Sequence, residues 1–124
     1  IKEAHWNVKG PTFIALHELF DQIQARVDAF TDDIAERAVS LAGFAEGTLQ
    51  SAAKNTNLAP FPTNLSAGKD VTQAVADRLA AFGKLARAAI DAADEAGDKD
   101  TADLFTGVSR QIDKDLWFVE AHLQ

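Results

Sequence analysis

The chain has 124 residues, 47% of them hydrophobic and 25% charged, which suits one globular domain over 1–124 with a modest core. Its formal net charge of −7 shows no basic patch for a nucleic-acid duplex and favours the attraction of cations. The lack of cysteine removes disulfides, Fe–S clusters and thiolate zinc sites. No run approaches the ~18 apolar residues of a membrane span, and no signal-peptide pattern opens the sequence.

Residues 1–8, IKEAHWNV, read as the end of a helix that breaks at Lys9-Gly10-Pro11, with proline suited to a first helical position. A long helix is predicted from about Pro11 to about Phe44, ending near Gly43 and Gly47. On its wheel, Leu16, Phe20, Ile23, Val27, Phe30, Ile34 and Leu41 form the core stripe. Gln22, Arg26, Asp33, Arg37 and Ser40 share a flank that suits water. Residues 48–69, with Pro60, Pro62 and three asparagines, read as a long connection holding a short helix around Thr48–Lys54.

Asp70 suits the N-cap of the next helix, which carries Val71, Val75, Leu79, Phe82, Ala86, Ala89, Ile90 and Ala93 on one face and stops before Gly97. The last helix starts near Asp100 or Thr101 and uses Leu104, Val108, Ile112, Leu116, Val119 and Leu123. No strand alternation and no internal repeat stand out, so an all-α bundle is expected. Three amphipathic helices leave a groove where a fourth belongs. The expectation is that most of a first helix lies outside these residues.

The candidate chemistry lies on the long helix. His17 and Asp21 are spaced i,i+4, as are Asp32 and Glu36, eleven residues further on. Taking His17 as zero, the four point to about 0°, 40°, 60° and 100°, a single stripe. Asp21 and Asp32 nevertheless stand roughly 16 Å apart along the axis, too far for one ion with bonds of about 2.0–2.6 Å. The pair 17 and 36 and the pair 21 and 32 have the same midpoint, near residues 26 and 27. An antiparallel second copy across a two-fold axis there brings His17 against the partner's Glu36 and Asp21 against the partner's Asp32, making two equivalent sites. The bland alternative is a solvated helix face with a surface His–Asp pair. Ile14, Ala25, Ala35 and Val39, interleaved with these ligands, suit an interface better than open solvent.

AHWNVKGPTFIALHELFDQI, the following DDIAERAVSLAG and the later GDKDTADLFTGVSRQIDKDLWFVEAHL resemble the Dps family, the mini-ferritins named for DNA-binding protein from starved cells. The likeness covers nearly all of the chain. It implies a ferritin-like four-helix bundle with a short helix in its long central connection, and twelve subunits around a hollow iron store. It assigns His5, His17 and Asp21 to one subunit's half of a ferroxidase site, and Asp32 and Glu36 to the two-fold-related subunit. The Glu-x-x-His motifs of intrasubunit di-iron sites are missing, in keeping with that arrangement. Trp6 resembles the family's tryptophan beside the iron centre, although a tryptophan at a helix end is as readily explained by core packing.

The resemblance further implies Fe²⁺ oxidation, preferably by hydrogen peroxide, and Zn²⁺ could take the same site because its ligand preferences overlap. Asp98, Asp100 and Asp103 would lie near three-fold pores, while helix capping and the helix dipole explain acids there equally well. The location expected is the cytoplasm, with nucleoid association as an option and no membrane partner. The alternative function is a DNA-compacting protein with secondary iron chemistry. In this family that activity often depends on a basic N-terminal tail, which these residues do not include.

Overall fold

A computed structural model describes all residues 1–124. Its elements are helices throughout: α1 (Lys2–Asn7), α2 (Phe13–Ser40), α3 (Leu49–Asn55), α4 (Gly68–Glu95) and α5 (Lys99–Glu120), closed by a 3₁₀ turn over Ala121–Leu123. No helix is long and apolar enough to cross a membrane. The only extended pairing is an isolated parallel bridge between Lys9 and Ala67.

Several boundaries differ from the expected ones, each for a local reason. Gly10 turns the chain at φ +115°, and Pro11 lies in that turn, so α2 begins at Phe13. α2 stops at Ser40, four residues before Phe44. The Gly43 N–H donates to the Ala38 carbonyl (2.8 Å) and the Ala42 N–H to that of Val39 (2.9 Å), with Ala42 at φ +65°. This is a Schellman stop with alanine where glycine is usual. A Cβ on Gly43 would stand 2.8 Å from the Ala38 oxygen, so the glycine next door makes the stop possible. Leu41, assigned to the core stripe, lies beyond the helix and is 54% exposed.

α4 starts earlier than expected, with Ala67 at the cap position and Asp70 inside the first turn. The Lys9 N–H donates to the Ser66 carbonyl (2.7 Å), which fixes the chain just before Gly68 and starts the helix there. α4 ends in a second Schellman stop at Gly97 (φ +76°), where the Asp98 N–H reaches the Ala93 carbonyl (2.9 Å). The next residue then caps α5, so the two helices form a tight hairpin. α3 is the short helix expected, capped by the Thr48 hydroxyl, which accepts from the Ser51 N–H (3.2 Å).

The core lies along the α4–α5 pair, where Val71, Val75, Leu79 and Ala86 meet Val108, Ile112 and Val119. Ala4 and Val8 from α1 and Leu16, Phe20 and Ile23 from α2 close it. Burying each large apolar side chain contributes about 1.5–3 kcal/mol. Beyond Ile23 no α2 residue is fully buried. Val27, Phe30 and Ile34 are half-buried, and beside them an apolar groove runs along α2 and α4, past Phe82, from Ile1 to Gly47.

Candidate metal centre

The chain order of the contacts sets the geometry. Lys2 of α1 pairs with Asp21 of α2, and His5 of α1 meets His17, so the two helices run antiparallel. The imidazoles stack with centroids 3.7 Å apart and planes 20° from parallel, and Phe13 borders His17 at 5.1 Å. The hydrogen bonds cross. His5 Nδ1 lies 2.7 Å from the carbonyl of His17, and His17 Nδ1 lies 2.9 Å from the carbonyl of His5. A carbonyl only accepts, so each Nδ1 is a donor, and in the neutral ring the metal-binding lone pair is that of Nε2. Backbone acceptors that fix tautomer and ring orientation in this way are the usual support for metal-binding histidines.

Asp21 is exposed, one turn beyond His17. Its carboxyl is held below the ordinary carboxylate pKa by the hydrogen bond from Lys2, aided by the charge of Lys2 and of the two histidines. A cation thus already sits on this carboxylate, and the site draws positive charge.

Asp32 and Glu36 are also exposed, on the far half of α2. One chain brings His5 and His17 together with Asp21 nearby, and leaves Asp32 and Glu36 apart from them. Within a single chain no three histidine or acidic side chains are close enough to hold an ion. Trp6, beside His5, is 70% exposed and is not packed in the core of these residues.

The three aspartates near the start of α5 differ from one another. Asp98 caps the helix, accepting from the Thr101 N–H (3.0 Å) and the Thr101 hydroxyl (2.5 Å), and pairs with Arg37 (2.8 Å). The hydrogen bonds from Thr101, with help from Arg37, hold its pKa below the ordinary value. Asp100 and Asp103 are exposed and make no ion pair. The sequence reading missed the role of Arg37 and of Arg26, which it placed on a water-facing flank. Arg26 instead forks onto the fully buried Asp115, at 3.1 and 2.6 Å. The available signal was Asp115 itself, a carboxylate three residues after Ile112 on the apolar face of α5.

Comparison with known proteins fits this arrangement. The ferritin-like domain family matches residues 1–124. A DNA protection during starvation protein from Agrobacterium fabrum is 49% identical over 123 residues, covering 99% of this chain and 76% of that protein. The chain belongs to the Dps family of ferritin-like proteins. Among solved Dps structures, DpsA14 from Streptomyces coelicolor has a TM-score of 0.94 at 33% identity, covering 99% of this chain and 73% of that one. Dps from Microbacterium arborescens in the high iron form has a TM-score of 0.91 at 37% identity, covering 98% and 79%. The helical Dps architecture read from the sequence is therefore the architecture of the molecule.

Proposed function

We propose that this Dps chain is a subunit of an iron-storage and detoxification protein. It oxidises Fe²⁺, its substrate, at centres shared by two-fold-related copies, and keeps ferric mineral inside a hollow dodecamer. Family membership supports iron storage and DNA protection in general. The observation that carries the finer reading is the crossed His5–His17 pair, which presents two Nε2 lone pairs next to Asp21.

Antiparallel docking of two α2 helices about an axis near residues 26 and 27 supplies the other donors, the partner subunit's Asp32 and Glu36. Two exposed apolar side chains support the same axis. Ile14 and Val39, 60% and 54% exposed, share its midpoint, so each covers the other across the interface.

Two imidazoles and three carboxylates hold two Fe²⁺ ions, with carboxylates bridging them. Hydrogen peroxide takes one electron from each ion. Its O–O bond breaks, two protons are consumed and two waters form, so no hydroxyl radical is released. Asp21 exchanges the Lys2 ammonium for metal as the site fills. Zn²⁺ competes for the same donors. Asp100 and Asp103, free of ion pairs, draw cations inward at the shell's pores. Asp98 contributes less there, because its oxygens are committed to Thr101 and Arg37.

On this reading DNA is protected in the cytoplasm by removal of Fe²⁺ and peroxide. Compaction of DNA is the weaker reading, since the net charge of −7 opposes a polyanion. Stopped-flow oxidation of Fe²⁺ by peroxide tests the proposal. His17→Ala and Asp32→Ala should each abolish the fast phase, and assemblies mixing the two variants should regain part of it. Unchanged rates in both variants would remove the enzymatic reading.

A further inference from the structure

α2 is held in two different ways along its length. From Leu16 to Ile23 it is fixed by fully buried apolar side chains. Past Ile23 its apolar side chains, Val27, Phe30 and Ile34, border the open groove, so among these residues the fixed contacts of this half are directional ones. Asp32 and Glu36 lie on that half. Metal donors must nonetheless be placed to within about 0.5 Å.

Two directional links span this half. Arg26 makes a two-point contact with Asp115 (3.1 and 2.6 Å), which also accepts from the Gln111 side chain (3.0 Å). Arg37 donates from Nε to the Thr101 hydroxyl (2.9 Å) and from its other nitrogen to Asp98 (2.8 Å). Asp115 lies within α5 and Asp98 caps its start. Arg26 and Arg37 are eleven residues apart, about three helical turns, so they leave α2 on one flank. They bracket Asp32 and Glu36, which leave on another. A slide of one turn, about 5.4 Å, would break both links together.

We infer that Arg26 and Arg37 are positioning residues, whose links to Asp115 and Asp98 lock the axial register of α2 on α5 and so set Asp32 and Glu36 for the partner subunit's histidines. The inference rests on the shared metal centre proposed above. Planar, forked guanidinium contacts suit this task, and an ammonium fills it less well. The buried Asp115 anchors the middle of the helix near the proposed two-fold axis, and Asp98 anchors the end next to Glu36.

Co²⁺ is the probe, with affinity read by calorimetry, site geometry by visible absorption and assembly by light scattering. Arg37→Met should weaken Co²⁺ binding about tenfold and alter the absorption while the assembly mass stays unchanged, with Arg37→Lys in between. The double variant Arg26→Met with Asp115→Leu replaces the other link by apolar groups without stranding a buried charge, and should weaken binding in the same sense. Wild-type affinity and spectrum in both Arg37→Met and the double variant would overturn the inference. Should Arg37→Met fail to assemble, Asp98→Asn, which retains a capping oxygen on α5, is read against the same two outcomes. Wild-type protein that takes up no Co²⁺ overturns the metal-centre reading and this inference with it. Wild-type uptake with unaffected variants removes the inference alone.

Discussion

The two halves of α2 carry the two halves of the proposed metal centre on different foundations. In the first half, His17 and Asp21 stand next to a packed core, and α1 adds His5 and the Lys2 ion pair. In the second half, Asp32 and Glu36 stand on a stretch without a fully buried residue, tied to α5 by arginines. The lesson concerns division of labour. Histidines need a fixed ring plane and tautomer, which close packing and backbone acceptors supply. Carboxylates can rotate and bridge, so they tolerate a support that fixes the helix and leaves the side chains free.

The sharpest way to break this contrast is truncation on the apolar face. Phe20→Ala, at a fully buried position, should cost ~3–5 kcal/mol in urea denaturation at matched protein concentration. Ile34→Ala, at a half-buried position, should cost less than about 2 kcal/mol. Equal costs would mean that the two halves are packed alike. Native-state hydrogen exchange gives a finer measure. Amides of residues 31–40 should exchange at least about tenfold faster than those of 16–25, a difference of ~1.4 kcal/mol in opening free energy.

Acid separates the halves by a smaller effect. The Asp98 pKa is lowered in the fold, so its stabilising contribution is complete above the ordinary carboxylate pKa and is lost as pH falls through the lowered one. The α2–α5 tie should therefore survive through the usual carboxylate range and loosen only below it. Carbon-13 shifts of Asp98 against pH should give a midpoint below 3.8, and Asp98→Asn should abolish that step. The smallest effect is at the other half. Lys2→Met removes the hydrogen-bonding cation from Asp21, so the Asp21 midpoint should rise toward 3.8, measured in the same way. An unmoved midpoint would place the cause elsewhere.

Much of this was legible in the sequence, where the cause was local. The period of the apolar residues gave the long helices, and the short helix lies where it was expected, with Thr48 found to cap it. The i,i+4 pairs on α2 gave both halves of the candidate centre and their shared midpoint. What escaped notice depends on contacts between elements. A wheel shows that Arg26 and Arg37 share a flank, yet it does not reveal that α5 lies along it. The start of α4 is set by the Lys9–Ala67 bridge, which no capping rule near Asp70 contains. His5 was reached through family likeness alone, because its meeting with His17 depends on how the Gly10 turn folds α1 back. Ala42 at positive φ ended α2 where composition offered glycine only further along.

The hydrogen bonds of His5 and His17 cross between α1 and α2. Each ring is oriented by the other residue's main chain, and no ring depends on the other ring's nitrogen. Deleting one imidazole therefore leaves its neighbour's acceptor in place, because the peptide oxygen survives any side-chain change. The geometry of the proposed half-site should accordingly outlast the loss of one ring, although fast oxidation needs the complete donor set. The half-site should lose metal-binding capacity ligand by ligand, each remaining donor still aimed, instead of failing all at once.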